Sequence, residues 1–284
     1  MDEIRRIPAA AVSDAVCELF ISANHFLESD VSEALDAAWE KESSPIARSV
    51  LSALRQNLAV AAERNVPVCQ DTGMAVLFAE VGSLVHVEGD TLENAVNIGV
   101  ARAYVEGKMR LSVVADPFYH RVNTENNPPA NLHIRTVPGD TLRLTAAPKG
   151  FGSENMSAIR MFTPSASEDD IVSFVVDAVR RAGSNPCPPI TVGVGIGSDF
   201  EGCAILAKRA LTRPLGTPSQ TPEYAALEKK MLDAINLLDI GPQGFGGITT
   251  ALGVHIETAP THIAGLPVAV NINCHVVRHR TAVL

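Results

Sequence analysis

The sequence predicts an α/β fold (α+β in the segregation of its elements): a helical N-terminal cap over a body of mixed β-sheets with flanking helices. Three observations carry that expectation. Apolar residues recur at three- and four-residue spacing through residues 8–64, the period of an amphipathic helix. At Val66 the texture changes to short β-rich runs punctuated by Gly and Pro. Beyond residue 167, strand-like runs alternate with amphipathic helical ones. The one plausible boundary lies near residue 65, giving a cap over 1–65 and a body over 66–284, together one structural unit.

The elements follow in order. AVSDAVCELF, VSEALDAAWE and SPIARSVLSALRQNLAVAAER read as helices. AVLFAEVG and LVHVEG suggest a β-hairpin, and TLENAVNIGVARAYVEG a helix that Thr91 could cap. RLSVVAD, NLHIRTV and TLRLTAAP are strand-like. Residues 168–183 form an amphipathic helix that Gly183 ends. ITVGVGIG is a buried strand, EGCAILAKRAL the helix after it, and 222–239 a further helix. TTALGVHIET and AGLPVAVNIN close the chain as strands.

Composition narrows the function classes. The chain has 284 residues, 46% hydrophobic and 19% charged, the balance of a compact globule with a sizeable core. The longest apolar runs, such as 264–270, fall far short of the roughly 20 residues of a membrane span. MDEIRRIPAA lacks the pattern of a secretory signal, so a cytoplasmic location is expected. With 23 basic against 32 acidic residues the net charge is −9, which argues against nucleic-acid binding. An anionic substrate therefore needs locally placed Arg or Lys.

Five cysteines in a cytosolic chain read as thiols. Cys17 and Cys203 lie inside helical runs and are expected to be small buried hydrophobes. Cys69 in VPVCQDTGM, Cys187 in SNPCPPI and Cys274 in NINCHVV occupy loop or strand ends flanked by Pro, Asn or Gly. Their separations of 118 and 87 residues lack the short CxxC pairs of a zinc site, so spacing alone says little. GVGIGSDFEG follows a strand and precedes a helix but fails the dinucleotide pattern, because Ser198 and Phe200 occupy the final-glycine positions of its two possible frames. Close strand–helix packing is the better account. Of the eight histidines, His255, His262 and His275 are read as structural hydrogen-bonders and none as a catalytic base.

VPVCQDTGMAVLFAEVG, KGFGSENMSAIRMFTP, NPCPPITVGVGIG and GPQGFGGITTALGVHIETAPTHIAGLPVAVNINCH together resemble the class I fumarase/L-tartrate dehydratase family. The likeness is to the alpha subunit of its two-subunit form and runs from about residue 8 to 279. It implies the fold of the class I fumarase N-terminal domain and a 4Fe–4S cluster held by Cys69, Cys187 and Cys274. Such clusters normally take four thiolates, so three leave one open iron site able to act as a Lewis acid. Gln70 is implied as a substrate hydrogen-bond donor and Asp71 as support for proton transfer, both assigned to catalysis. Arg110 is implied as the substrate-carboxylate arginine, a role that suits a guanidinium. In the 149–155 turn, the resemblance implies that Gly150 and Gly152 lie against substrate, while Phe151 departs from the family's KGGGS.

The implied activity is that of a hydro-lyase. Fumarate/malate is the leading pair, with L-tartrate or mesaconate as alternatives. The implied partner is a beta subunit, in an alpha2beta2 assembly, that supplies the catalytic base. Two readings of other classes stand beside it: a structural zinc protein using the same three cysteines, and a metal-free binding subunit.

Overall fold

The computed structural model describes residues 3–284. In chain order the elements are β1 (Arg5–Pro8), α1 (Ala9–His25), α2 (Ser29–Lys41), α3 (Pro45–Arg64), β2 (Val76–Gly82), β3 (Val85–Glu88), α4 (Leu92–Glu106), β4 (Asn131–Val137), β5 (Leu142–Ala146), α5 (Phe151–Glu154), β6 (Ala158–Phe162), α6 (Glu168–Ala182), β7 (Ile190–Ser198), α7 (Phe200–Ala210), α8 (Pro222–Asn236), β8 (Ala251–Thr261), β9 (Leu266–Asn273) and β10 (Arg280–Val283). The mixed α/β class follows the sequence. Among the described residues no helix is long and apolar enough to cross a membrane.

The chain divides into two compact units. One comprises Met1–Leu27, Leu58–Gly150 and Arg278–Leu284; the other comprises Glu28–Asn57 and Phe151–Val277. The helices of the N-terminal segment are shared out: α1 belongs to the first unit and α2 to the second, and the division falls within α3.

The first unit is built on a four-stranded sheet in the order β10-β5-β2-β4, with β2 and β4 parallel and the other pairs antiparallel. Val12, Val16 and Phe20 of α1, Val96, Val100 and Tyr104 of α4, and Leu77, Leu142 and Leu144 of the sheet form one core. The two helices approach closely because Gly99 has no side chain: a Cβ there would lie 2.5 Å from the Ser13 carbonyl oxygen. Thr91 caps α4 as expected, its hydroxyl accepting from the Asn94 amide at 3.1 Å.

The expected β2–β3 hairpin does not form. β3 pairs instead in parallel with β1, a four-residue strand in a stretch too short to show a period of its own. The turn between β2 and β3 is captured instead by residues 137–141, with Ser83 donating to the Val137 carbonyl and Leu84 to that of Gly139. RLSVVAD also fails as a strand: it holds only an isolated bridge between Val114 and Asn123. Its backbone is satisfied locally, since the buried Asn127 side chain accepts from the Ser112 and Val113 amides.

The second unit carries a sheet in the order β6-β9-β7-β8, antiparallel except for the β7–β8 pair. Val192, Val194 and Ile196 of β7 pack with α6 and α8 in its main core. The alternate residues Gly193 and Gly195 receive α7, where a Cβ would lie 2.1 Å from the Ala207 oxygen and 2.0 Å from that of Cys203. The GVGIG run is thus a close-packing device. Ser167 and Asp170 form a capping box on α6, which Gly183 ends at φ +54°.

Candidate active site

In the first unit the site begins at the turn that carries Cys69, Gln70 and Asp71. Val68 just before it donates to the Asn24 carbonyl at the end of α1, at 2.9 Å. Within the turn, the Gly73 amide donates to Asp71 Oδ1 at 3.1 Å. The hydroxyl of the buried Tyr104 donates towards the carbonyls of Thr72 and Gly73, at 3.2 and 2.8 Å. Burial raises that phenol's pKa well above its usual value, so it remains a donor.

Thr72 joins this turn to Arg110. Its Oγ1 accepts from the Arg110 amide at 3.0 Å and lies 3.3 Å from the Arg110 carbonyl, to which it can donate. Residues 38 positions apart in sequence are thereby held side by side. Asn127 adds a second tie, donating to the Gly73 carbonyl at 3.3 Å. Gly150 completes the group: a Cβ there would lie 3.0 Å from Asp71 Oδ2. Gln70 and Arg110 are exposed, while Cys69 and Asp71 are half-buried. The first unit therefore assembles Cys69, Gln70, Asp71, Arg110 and Gly150 on one connected scaffold.

Gly152, Cys187 and Cys274 belong to the second unit. Cys187 is exposed and sits at φ +54°, a left-handed conformation uncommon for residues other than glycine. Strain of this kind concentrates at functional turns. The His275 amide approaches the Cys187 carbonyl at 3.4 Å and the imidazole Nδ1 approaches it at 3.0 Å. The turns of Cys187 and Cys274 are thus neighbours. The glycine-rich loop 241–247 lies against the same place, with Gln243 donating to the Pro188 carbonyl from both its backbone and its side chain. Around Gly152 there is room, the nearest obstacle to a Cβ being the Asn185 oxygen at 3.4 Å.

The remaining cysteines separate cleanly. Cys17 and Cys203 are buried, and desolvation is the main cause raising both thiol pKa values, as inert core thiols require. His255 is buried against the Ala210 carbonyl, and burial pushes its imidazole down to about 4. It is a neutral structural histidine, as the sequence suggested.

Among the described residues no group of three or more His, Cys, Asp or Glu side chains is gathered to hold a metal ion. The accessible cysteines are nonetheless of the chemistry that cluster irons take as ligands, thiols able to ionise. Cys69, Cys187 and Cys274 are the cysteines at least partly accessible, and the turns bearing two of them are bonded to each other.

Sequence reasoning missed Arg278, a guanidinium only 2% exposed that donates to Asn24 Oδ1 at 2.8 Å and to the Asp71 carbonyl at 2.9 Å. The one signal available was a charged residue set between the apolar run VAVNINCHVV and the chain end.

The family model for fumarate hydratase (Fumerase) matches residues 13–283. The chain belongs to the fumarate hydratase family. Its relatives include the protein described as "Putative L(+)-tartrate dehydratase subunit alpha" of Methanocaldococcus jannaschii, 40% identical over 93% of this chain and 94% of that protein. The L(+)-tartrate dehydratase subunit alpha of Escherichia coli is 32% identical over 89% of this chain and 84% of its own length. That of Shigella sonnei is 31% identical over the same shares. As a fumarate hydratase family member the chain serves hydro-lyase chemistry, the reversible addition of water to a carbon–carbon double bond.

Proposed function

We propose that the chain is the cluster-bearing alpha subunit of a two-subunit hydro-lyase that interconverts fumarate and malate. The observation that carries this reading is the Thr72 hydroxyl, which bonds the Asp71 turn to the Arg110 backbone and so sets the residue that supports proton transfer beside the one that binds a carboxylate. Cys69, Cys187 and Cys274 would hold a 4Fe–4S cluster. When bound, that cluster would supply an open, Lewis-acidic iron for the substrate's hydroxyl and one carboxylate.

The chain's own residues do the rest. Arg110, exposed on its scaffold, grips the second carboxylate, and a guanidinium can do so through two parallel hydrogen bonds. Gln70 donates to the substrate beside it. Asp71 orients the proton-transfer step, and its carboxylate is steadied by the Gly73 amide. Gly150 and Gly152 let the acid approach the backbone. Removing the C–H proton takes a base that can reach within roughly 3 Å of it, and because the motifs recognised here offer no obvious candidate besides Asp71, that base comes from the partner. A cytoplasmic setting would keep the three thiols reduced.

L-tartrate is the second reading, favoured by the relatives named L(+)-tartrate dehydratase subunit alpha. Co-expression with a beta-type subunit and anaerobic assay on fumarate, L-tartrate and mesaconate tests both. Turnover of one of these only when both chains and iron are present is expected. Turnover of none, or full activity with no iron, sinks the proposal. Equal rates for the reconstituted chain alone would remove the shared site.

A further inference from the structure

We propose that Arg278 is a positioning residue: its buried guanidinium clamps the turn bearing Asp71, and so sets where that carboxylate meets the substrate. The inference rests on the reading of Asp71 given above. Nη1 donates to Asn24 Oδ1 and Nη2 to the Asp71 carbonyl, while the Asn24 carbonyl receives the Val68 amide. Residues 68 and 71 are therefore pinned to the last turn of α1 at two points. Asn24 is itself fixed, its amide donating to the Phe20 carbonyl at 3.0 Å.

The clamp needs an arginine. A planar fork reaches two acceptors in fixed directions, whereas an ammonium is a point donor on a flexible stem. It also carries a cost, because Nε is buried without a hydrogen-bond partner. An apolar side chain would fill the space without that penalty, so packing alone does not account for a charge here. A Cβ on residue 150 would lie 3.5 Å from Nη2 and 3.0 Å from Asp71 Oδ2, so the guanidinium and the carboxylate flank one glycine with no side chain between them.

Arg278→Lys in the full chain tests the clamp, by hydrogen exchange on the chain and by steady-state kinetics with its partner and iron restored. Amide exchange over 69–73 should accelerate at least tenfold, while β2 and β5 stay protected. In the holoenzyme kcat should fall roughly 10- to 100-fold, the scale of a misplaced catalytic group. KM should change less than threefold and iron content not at all. Unaltered exchange over 69–73 overturns the clamp, and a raised KM at unchanged kcat makes Arg278 a substrate ligand instead.

Should Arg278→Lys fail to fold, Asn24→Ala removes the other anchor with the arginine in place. It should loosen the same amides, and wild-type protection there overturns the proposal equally. Asp71→Asn separates the two levels. Full activity in that variant sinks the role given to Asp71, whereas the exchange result judges the clamp by itself.

Discussion

Replacing Gly150 by Ala probes the site without disturbing the backbone, because Gly150 does not occupy the left-handed region and alanine can adopt its conformation. The added methyl would meet Asp71 Oδ2 at 3.0 Å and Cγ at 3.3 Å. An ordinary contact needs about 3.4 Å or more, so the carboxylate must retreat by a few tenths of an ångström. It cannot swing freely, since Oδ1 accepts from the Gly73 amide at 3.1 Å. Overpacking typically costs ~1–3 kcal/mol, and the stiffer unfolded chain offsets ~0.4–1 kcal/mol of that. Thermal melting of the chain should therefore shift modestly, by a few degrees, on the scale of about 2–4 °C per kcal/mol. The effect on turnover should be larger relative to that shift. Misplacement by about 1 Å costs on the order of 100-fold, so a few tenths should lower kcat roughly 3- to 10-fold. Two comparisons bracket the result. Gly152→Ala meets nothing closer than 3.4 Å and should melt like wild type. Gly73→Ala, at φ +76° with a Cβ 2.4 Å from the Lys149 carbonyl carbon, should lose the most stability of the three. Wild-type kcat in Gly150→Ala, or a melting loss exceeding that of Gly73→Ala, would refute the reasoning.

Two further outcomes follow from the same geometry. Cys69→Ser, Cys187→Ser and Cys274→Ser should each lose iron and activity, whereas Cys17→Ser and Cys203→Ser, in the buried positions, should keep both; iron analysis of the anaerobically reconstituted protein decides, and equal iron loss at Cys17 would show the wrong thiols were chosen. His255 should make stability depend on pH: burial, reinforced by the Arg213 charge and opposed by Glu228, holds its folded pKa at about 4 against an ordinary 6.5. The unfolded chain then takes up the proton first, so stability falls as pH drops from about 6.5 towards 4, by on the order of 3 kcal/mol. His255→Gln should flatten that part of the curve in urea titrations, and an unchanged slope would sink the assignment.

What the sequence determined by itself was the set of long, strongly periodic elements and the chemistry available. The helices at 9–25, 29–41, 45–64, 168–182 and 200–210 carry their own apolar stripes, and the last two also their own N-caps in Ser167 and Asp199, so their existence is local information. The same holds for the burial of Cys17 and Cys203, written in the apolar neighbours of each. The motifs around Cys69, Cys187 and Cys274 placed the chain in its family before any contact was known. Tertiary structure decided what depends on partners distant in the chain. The short strands β1, β6 and β10 have too few residues to announce a period, and each forms only because a neighbouring strand offers its edge. β3 leaves β2 for β1 because the turn between them bonds to residues 137–141, a choice invisible in either strand. The pairing of the Asp71 turn with Arg110 through Thr72, and its clamping by Arg278 from 207 residues away, likewise exist only once the chain has closed. Periodicity records which face of an element is apolar; hydrogen bonds between buried polar groups record which elements meet, and those are set by the whole fold.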